Sequence, residues 1–343
     1  MPPDSLAETQ QPISQPARLY QGRVLDPRGL AFAEAPGALE RAAHLRGNAE
    51  QLAELRAGET ARVIALWRGR PLFGPEGLHL LRAGEAALEA MPGPEIFLGL
   101  RDGLALFSRD VSAFEPDGER PDGAAFFDAS EQRHPDLPDD IVFAELRGRM
   151  GFLSPVEAEI AATARGLVEW HRTHRFCSTC GAESEPEQAG WHRRCPVCER
   201  HHFPRTDPVV IMLITHGNQL LLGRGPHWPE TMYSCLAGFM EPGETVEAAV
   251  RREVFEESGV EVGEVSLVAS QPWPFPASLM LGCRGVATTT EITIDPVEIA
   301  DARWISRERL LQVVAGRDPE ISAPRQGAIA GWLMREWLAD RLE

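Results

Sequence analysis

The 343-residue chain contains no lysine, so all 34 of its basic side chains are arginine. Schiff-base chemistry on lysine and a lysine-bearing phosphate loop are therefore excluded, because both need that amine. Basic charge is scarce as well: 51 Asp and Glu leave a net −17. Such a chain has no general attraction for nucleic acid or an anionic membrane, and any nucleotide must be held by a local site. No run of about 18 apolar residues occurs, which argues against a membrane-spanning helix. Residues 1–17 are polar and Pro-rich, lack the apolar centre of a secretory signal, and read as a flexible tail. A cytoplasmic chain with reduced thiols is expected, so the six cysteines should be ligands or core filler rather than disulfides.

The length suggests about two domains. Apolar runs at Ala61–Trp67, 96–100 and 104–108 predict strands, and Arg101-Asp102-Gly103 predicts the hairpin turn between the last two. A Pro/Asp/Gly-rich stretch at 113–138 reads as a loop. Residues 18–153 thus form an expected small mixed α/β domain without a chemical motif. Ser154-Pro155 then supplies an N-cap and a first-turn proline, and Val156, Ile160, Ala164, Leu167 and Trp170 follow at helical spacing. This helix and the cysteine cluster after it occupy 154–205. Residues 206–343 predict strands at 209–215, 218–223, 262–270, 279–290 and 302–304. They surround a helix near 245–258, with closing helices at Arg307–Val314 and 327–342. The expected fold class is α/β (α+β). No internal repeat of fixed period is evident.

Cys177-Ser-Thr-Cys180 and Cys195-Pro-Val-Cys198 form two knuckles. Four thiolates at this spacing suit tetrahedral Zn²⁺ in a closed, structural site. The alternative is an unligated set or a redox pair. The histidines around the knuckles read as surface or packing residues, since four sulfurs already complete the metal shell. Isolated Cys235 and Cys283 read as buried packing residues.

The strongest signal runs from Gly238 through Glu244, Arg252, Glu253, Glu256 and Glu257 to Gly259. Thr245 can cap a helix here, and Gly259 can end it in a left-handed conformation. Glu253, Glu256 and Glu257 lie at i, i+3 and i+4 and share a helix face. Three carboxylates on one face repel each other, and a divalent cation relieves them. Hard oxygen ligands favour Mg²⁺ or Mn²⁺. Arg252 can brace a neighbouring carboxylate, while Ala248, Ala249 and Val254 can pack inward.

This segment matches GX5EX7REUXEEXGU (U, bulky aliphatic) and resembles the box of the Nudix hydrolase superfamily. A second array, Ser270-Gln-Pro-Trp-Pro-Phe-Pro-Ala-Ser278, resembles that of the superfamily's NADH pyrophosphatase branch, which includes enzymes that remove NAD caps from RNA. Trp170-His171-Arg172 before the cysteines and Glu298 through Trp304 support the likeness, which covers residues 154–342 well and the first 150 loosely. The resemblance implies a C-terminal Nudix α/β/α sandwich and a central zinc ribbon. It implies hydrolysis of the pyrophosphate of NADH or NAD⁺ to AMP and nicotinamide mononucleotide, with NAD-capped RNA as a further substrate, and a homodimer.

By the same transfer, Glu253, Glu257, Glu298 and the carbonyl of Ala237 would hold Mg²⁺ or Mn²⁺. Glu256 would be a ligand or base, and Glu244 a peripheral support. Phe203, Phe239, Gln271, Trp273, Phe275, Ser278 and Ala330 would contact substrate. Phe203 stands where the branch usually has tyrosine, which removes a hydroxyl but keeps the ring. The prolines independently suggest an extended path that presents Trp273 and Phe275 for stacking, with Gln271 and Ser278 offering hydrogen bonds. The competing expectations are a Nudix hydrolase of ADP-ribose or another dinucleotide, and a non-catalytic zinc-ribbon binding module.

Overall fold

The computed structural model describes residues 19–20, 23–24, 30–32, 39–115 and 128–342. The expected tail at 1–17 and part of the expected 113–138 loop lie outside the described residues. Among the described residues, no helix is long and apolar enough to cross a membrane.

The first unit is a seven-stranded sheet among the described residues. Its centre consists of β1 (Ala61–Trp67), β2 (Arg70–Gly74), β3 (Glu95–Arg101) and β4 (Leu104–Asp110). The β3–β4 turn places Asp102 and Gly103 at φ 49° and 77°, the left-handed pair that a two-residue hairpin requires. β4 returns parallel to β1. Alternate residues of β1 feed opposite cores: Ile64 and Leu66 face the helix α1 (Pro155–Thr173), while Val63, Ala65 and Trp67 face the other side. The N-terminus of α1 is a capping box, with Ser154 Oγ accepting from the Glu157 amide and Glu157 returning a carboxylate to the Ser154 amide at 3.0 Å.

A small three-stranded sheet follows, made of β5 (Glu185–Glu187), β6 (His192–Arg194) and β7 (His201–His202). The last unit is a six-stranded mixed sheet: β8 (Asp207–His216), β9 (Gln219–Arg224), β10 (Leu236–Phe239), β11 (Val262–Trp273), β12 (Ser278–Ala287) and β13 (Asp301–Ser306). β8 alternates between two cores. Val210, Met212 and Ile214 meet helix α2 (Val246–Ser258), and Val209, Ile211 and Leu213 meet α3 (Arg307–Val314) and α4 (Ile329–Leu338). The result is a three-layer sandwich with helices on both faces of a sheet.

The two larger units share a strand plan. Each has a first hairpin (β1–β2, β8–β9) and a second (β3–β4, β11–β12) whose final strand returns parallel to the opening one. No fixed sequence period announces this relation, because connections of different length separate the matching strands.

Several boundaries differ from expectation. β11 runs on through Pro272 to Trp273, which an edge strand tolerates because its outer side needs no amide donor. β12 stops at Ala287. On α2, Ala248 is exposed, and Val250 takes the inward position beside Ala249 and Val254.

Candidate active site

Helix α2 begins where Thr245 Oγ1 accepts the Ala248 amide at 3.3 Å and ends where Gly259 adopts φ 70°. Arg252 organises the acidic face. Its guanidinium donates to Glu244 at 2.6 and 2.9 Å, to Glu253 at 2.8 Å, to Glu256 at 2.9 Å and to the Phe239 carbonyl at 2.9 Å. One cation thereby ties the helix to the loop before it and to the end of β10. The Arg252 contact holds Glu244 down to about 2.

Glu257 has no such partner. Burial, and then the charges of Glu253, Glu298 and Glu256, push its carboxyl up to about 8, and its Oε2 is buried without a hydrogen bond. Glu253 is pushed up by burial in the same way, although Arg252 opposes this. A buried orphan oxygen among carboxylates has the donor chemistry a hard divalent cation requires. Glu298 joins the cluster from the turn before β13, where its backbone N–H donates to the Asp295 carbonyl at 3.1 Å. Ala237 and Gly238 sit in β10 opposite Ile211 and Val210. A Cβ on Gly238 would lie 1.9 Å from the Glu253 carboxyl carbon, so only glycine leaves room for that carboxylate.

The aromatic array meets the cluster at one end of the sheet. Asp207 is in register with Ser278 on one side, and two residues on, Val209 is in register with Phe239 on the other. Trp273 pairs with Ser278 across β11 and β12. Trp273 and Ser278 line a cleft of ≈ 270 Å³ together with Arg41, Thr163, Pro204 and Arg205. The first 150 residues therefore supply part of its wall. Arg41 is fixed there by Glu159 at 2.9 Å and Thr163 at 2.8 Å, and nothing in its Ala-rich surroundings marks it in the sequence.

Three expected substrate contacts are engaged within the fold. Gln271 is fully buried and spent on backbone: Nε2 donates to the Ala31 and Gly327 carbonyls, both at 2.7 Å, and Oε1 accepts the Ile329 amide at 2.9 Å. Both amide hydrogens are spent, and the side chain has no exposed surface to offer a ligand. Phe275 packs against the first unit's core beneath the guanidiniums of Arg147 and Arg165, 4.5 and 4.8 Å from its ring centre. The methyl of Ala330 is turned into the core between sheet and helices. Phe239 and Phe203 are exposed, Phe239 beside the Arg252 contact and Phe203 at the edge of the small sheet.

In that small sheet the sulfurs of Cys177, Cys180, Cys195 and Cys198 all lie within 4.8 Å of one another, with Cys177–Cys198 at 3.6 Å and Cys180–Cys195 at 3.4 Å. Tetrahedral Zn–S bonds of about 2.3 Å would place sulfurs about 3.8 Å apart, so the four fit one metal ion. Cys235 and Cys283 are buried, unpaired and far from this group in the fold.

Three family descriptions match successive stretches of the chain: an NADH pyrophosphatase-like rudimentary NUDIX domain at 60–170, an NADH pyrophosphatase zinc ribbon domain at 172–203 and a NUDIX domain at 204–323. The human NAD-capped RNA hydrolase NUDT12 is 48% identical over 197 residues, covering 54% of this chain and 43% of that protein. The chain thus spans less than half the length of that relative. The NAD-capped RNA hydrolase NudC of Stutzerimonas stutzeri (strain A1501) is 39% identical over 210 residues, covering 60% of this chain and 72% of the relative. A NUDIX hydrolase structure from Nitrosomonas europaea is 23% identical, with a TM-score of 0.38, over 47% of this chain and 89% of that one. On the match to NudC over most of that protein's length, this chain belongs to the Nudix hydrolase superfamily, within the zinc-ribbon branch of NADH pyrophosphatases and NAD-capped RNA hydrolases.

Proposed function

We propose that the chain hydrolyses the pyrophosphate bond of NADH or NAD⁺ to AMP and nicotinamide mononucleotide, and cleaves the same bond in NAD-capped RNA. The carrying observation is the half-buried Glu257 carboxylate, its Oε2 enclosed without a hydrogen bond, set among Glu253, Glu256 and Glu298 at the sheet end that also bears Trp273 and Phe239. In this reading Glu253, Glu257, Glu298 and the Ala237 carbonyl hold Mg²⁺ or Mn²⁺. The bound cation supplies Lewis-acid polarisation of the phosphoryl oxygens and a more acidic water. Arg252 fixes the direction of Glu253, and Gly238 keeps its carboxylate clear of the backbone. Glu256, exposed on the same face and bound by Arg252, would be a ligand or the base that accepts a proton from water. Trp273 supplies a stacking face, Ser278 a hydroxyl, and exposed Phe239 and Phe203 further ring surface.

The four cysteines hold structural Zn²⁺, and catalysis is assigned to residues 206–343. The small sheet's exposed Phe176, Val197 and Phe203 suit burial against a second copy, in keeping with a homodimer.

The test incubates the protein and Mg²⁺ or Mn²⁺ with NADH, NAD⁺, ADP-ribose and NAD-capped RNA at matched concentrations and separates the products. AMP with nicotinamide mononucleotide, and 5′-monophosphate RNA, are the expected products. Cleavage of ADP-ribose alone would keep the chemistry and discard the role given to Trp273. Binding without turnover under either metal would sink the enzymatic reading.

A further inference from the structure

The sequence treats the histidines around the knuckles as packing residues, yet the fold gathers two of them with a carboxylate away from the sulfurs. Glu187 ends β5 and faces His192 across the antiparallel pair. Arg194, two residues along β6, pairs with His201 of β7. Because side chains alternate across a strand, Glu187, His192, Arg194 and His201 occupy one face of the small sheet. One ligand atom from each of Glu187, His192 and His201 lies within 4.8 Å of the other two. His192 Nε2 is 2.8 Å from Glu187 Oε2, and the rings of His192 and His201 stand at 90° with centres 5.1 Å apart.

From this juxtaposition we infer that Glu187, His192 and His201 form a second metal site, an exchangeable one for a borderline transition ion of the Zn²⁺ class. Two imidazole nitrogens and a carboxylate oxygen form a donor set that suits Zn²⁺, Co²⁺ or Ni²⁺, with a fourth position open to water. Mg²⁺, which demands oxygen ligands in octahedral array, does not suit it. Bonds of about 2.0–2.1 Å put tetrahedral ligands about 3.3 Å apart, so the Glu187–His192 contact must open by about 0.5 Å. The surroundings permit this: Arg194 lies 3.8 Å from the other Glu187 oxygen and makes its shorter pair, 2.8 Å, with Glu199. The ring of His192 is 5.7 Å from that of Phe203, so occupancy would also fasten the strand that leads to the cleft-lining Pro204 and Arg205.

The experiment titrates Co²⁺ into full-length protein whose cysteine site is already filled with Zn²⁺, in excess Mg²⁺, by calorimetry and visible absorption. A further equivalent of Co²⁺ should bind, with a d–d spectrum free of thiolate charge transfer. His201→Ala alters an exposed residue, so folding is not at risk. It should weaken that event about tenfold or more, because even loss of a ligand's supporting hydrogen bond costs about 10–100-fold. His192→Ala should abolish it, and in both variants the zinc content of the cysteine site should be unchanged. Failure of wild-type protein to bind the extra Co²⁺, or the same affinity in His201→Ala, overturns the inference. Co²⁺ entering the cysteine site would announce itself by thiolate charge transfer, so a fault in the zinc assignment is told apart.

Discussion

The substitution Glu257→Gln should destroy turnover and yet stabilise the protein in the absence of Mg²⁺ or Mn²⁺. The native fold raises this carboxyl from 4.5 to about 8, mainly by burial and then by its acidic neighbours. Below pH 4.5 the group is neutral in both folded and unfolded chains and has no effect on stability. Between 4.5 and about 8 the unfolded chain releases its proton while the folded one retains it, so stability falls as pH rises. Above about 8 both forms are ionised and the loss is complete. At about 1.36 kcal/mol per pH unit the full loss is about 5 kcal/mol, an upper figure because water entry relaxes the buried charge. The amide of the Glu257→Gln variant is neutral at every pH and escapes all of it. Urea unfolding of both proteins from about pH 5 to pH 9, without a chelator so that the ribbon keeps its zinc, should show the variant gaining on wild type until about pH 8 and then running level. A stability difference that does not change with pH would refute the desolvated, unpartnered state assigned to this carboxylate.

Gly238→Ala should lower turnover about a hundredfold and weaken Mn²⁺ binding, since the new Cβ displaces the Glu253 carboxylate by an ångström or more; unchanged Mn²⁺ affinity by calorimetry would remove Glu253 from the site. Gln271→Ala strands the Ala31 carbonyl and the Ile329 amide, and at about 1–3 kcal/mol each should cost about 2–6 kcal/mol in urea unfolding. A loss below about 1 kcal/mol would restore Gln271 to a candidate substrate contact. Cys195→Ser should release the ribbon's zinc and open residues 175–200 to protease, because a module this small depends on its metal to fold; full zinc content in the variant would contradict that.

Local signals were legible in the sequence. Thr245 and Gly259 bracket α2, Asp102-Gly103 turns β3 into β4, and Ser154 with Glu157 caps α1, because each acts on its near neighbours. The spacing of the glutamates likewise put their carboxylates on one face. What escaped depends on distant partners. Gln271 reads as a polar residue available to ligand, and only the arrival of segments at 31 and 327–329 spends its amide. Phe275 reads as a stacking ring until Arg147 and Arg165 come over it. The parallel return of β12 beside β8 leaves no mark in either strand.

The Gln271 contact also constrains the order in which the molecule can be completed. Leu30 belongs to the core between the last sheet and its closing helices, and the Ala31 amide donates to the Gly327 carbonyl at 2.9 Å. These partners are separated by about 300 residues, which at roughly 5–20 residues per second is some 15–60 s of synthesis. A nascent chain must therefore keep an apolar N-terminal segment unburied while nearly everything else emerges. Expressed alone, residues 206–343 would expose the seat of Leu30 and leave one Gln271 hydrogen bond unmade. Supplying residues 18–45 as a separate peptide should bind there and restore the missing edge, as a split protein is restored by its fragment.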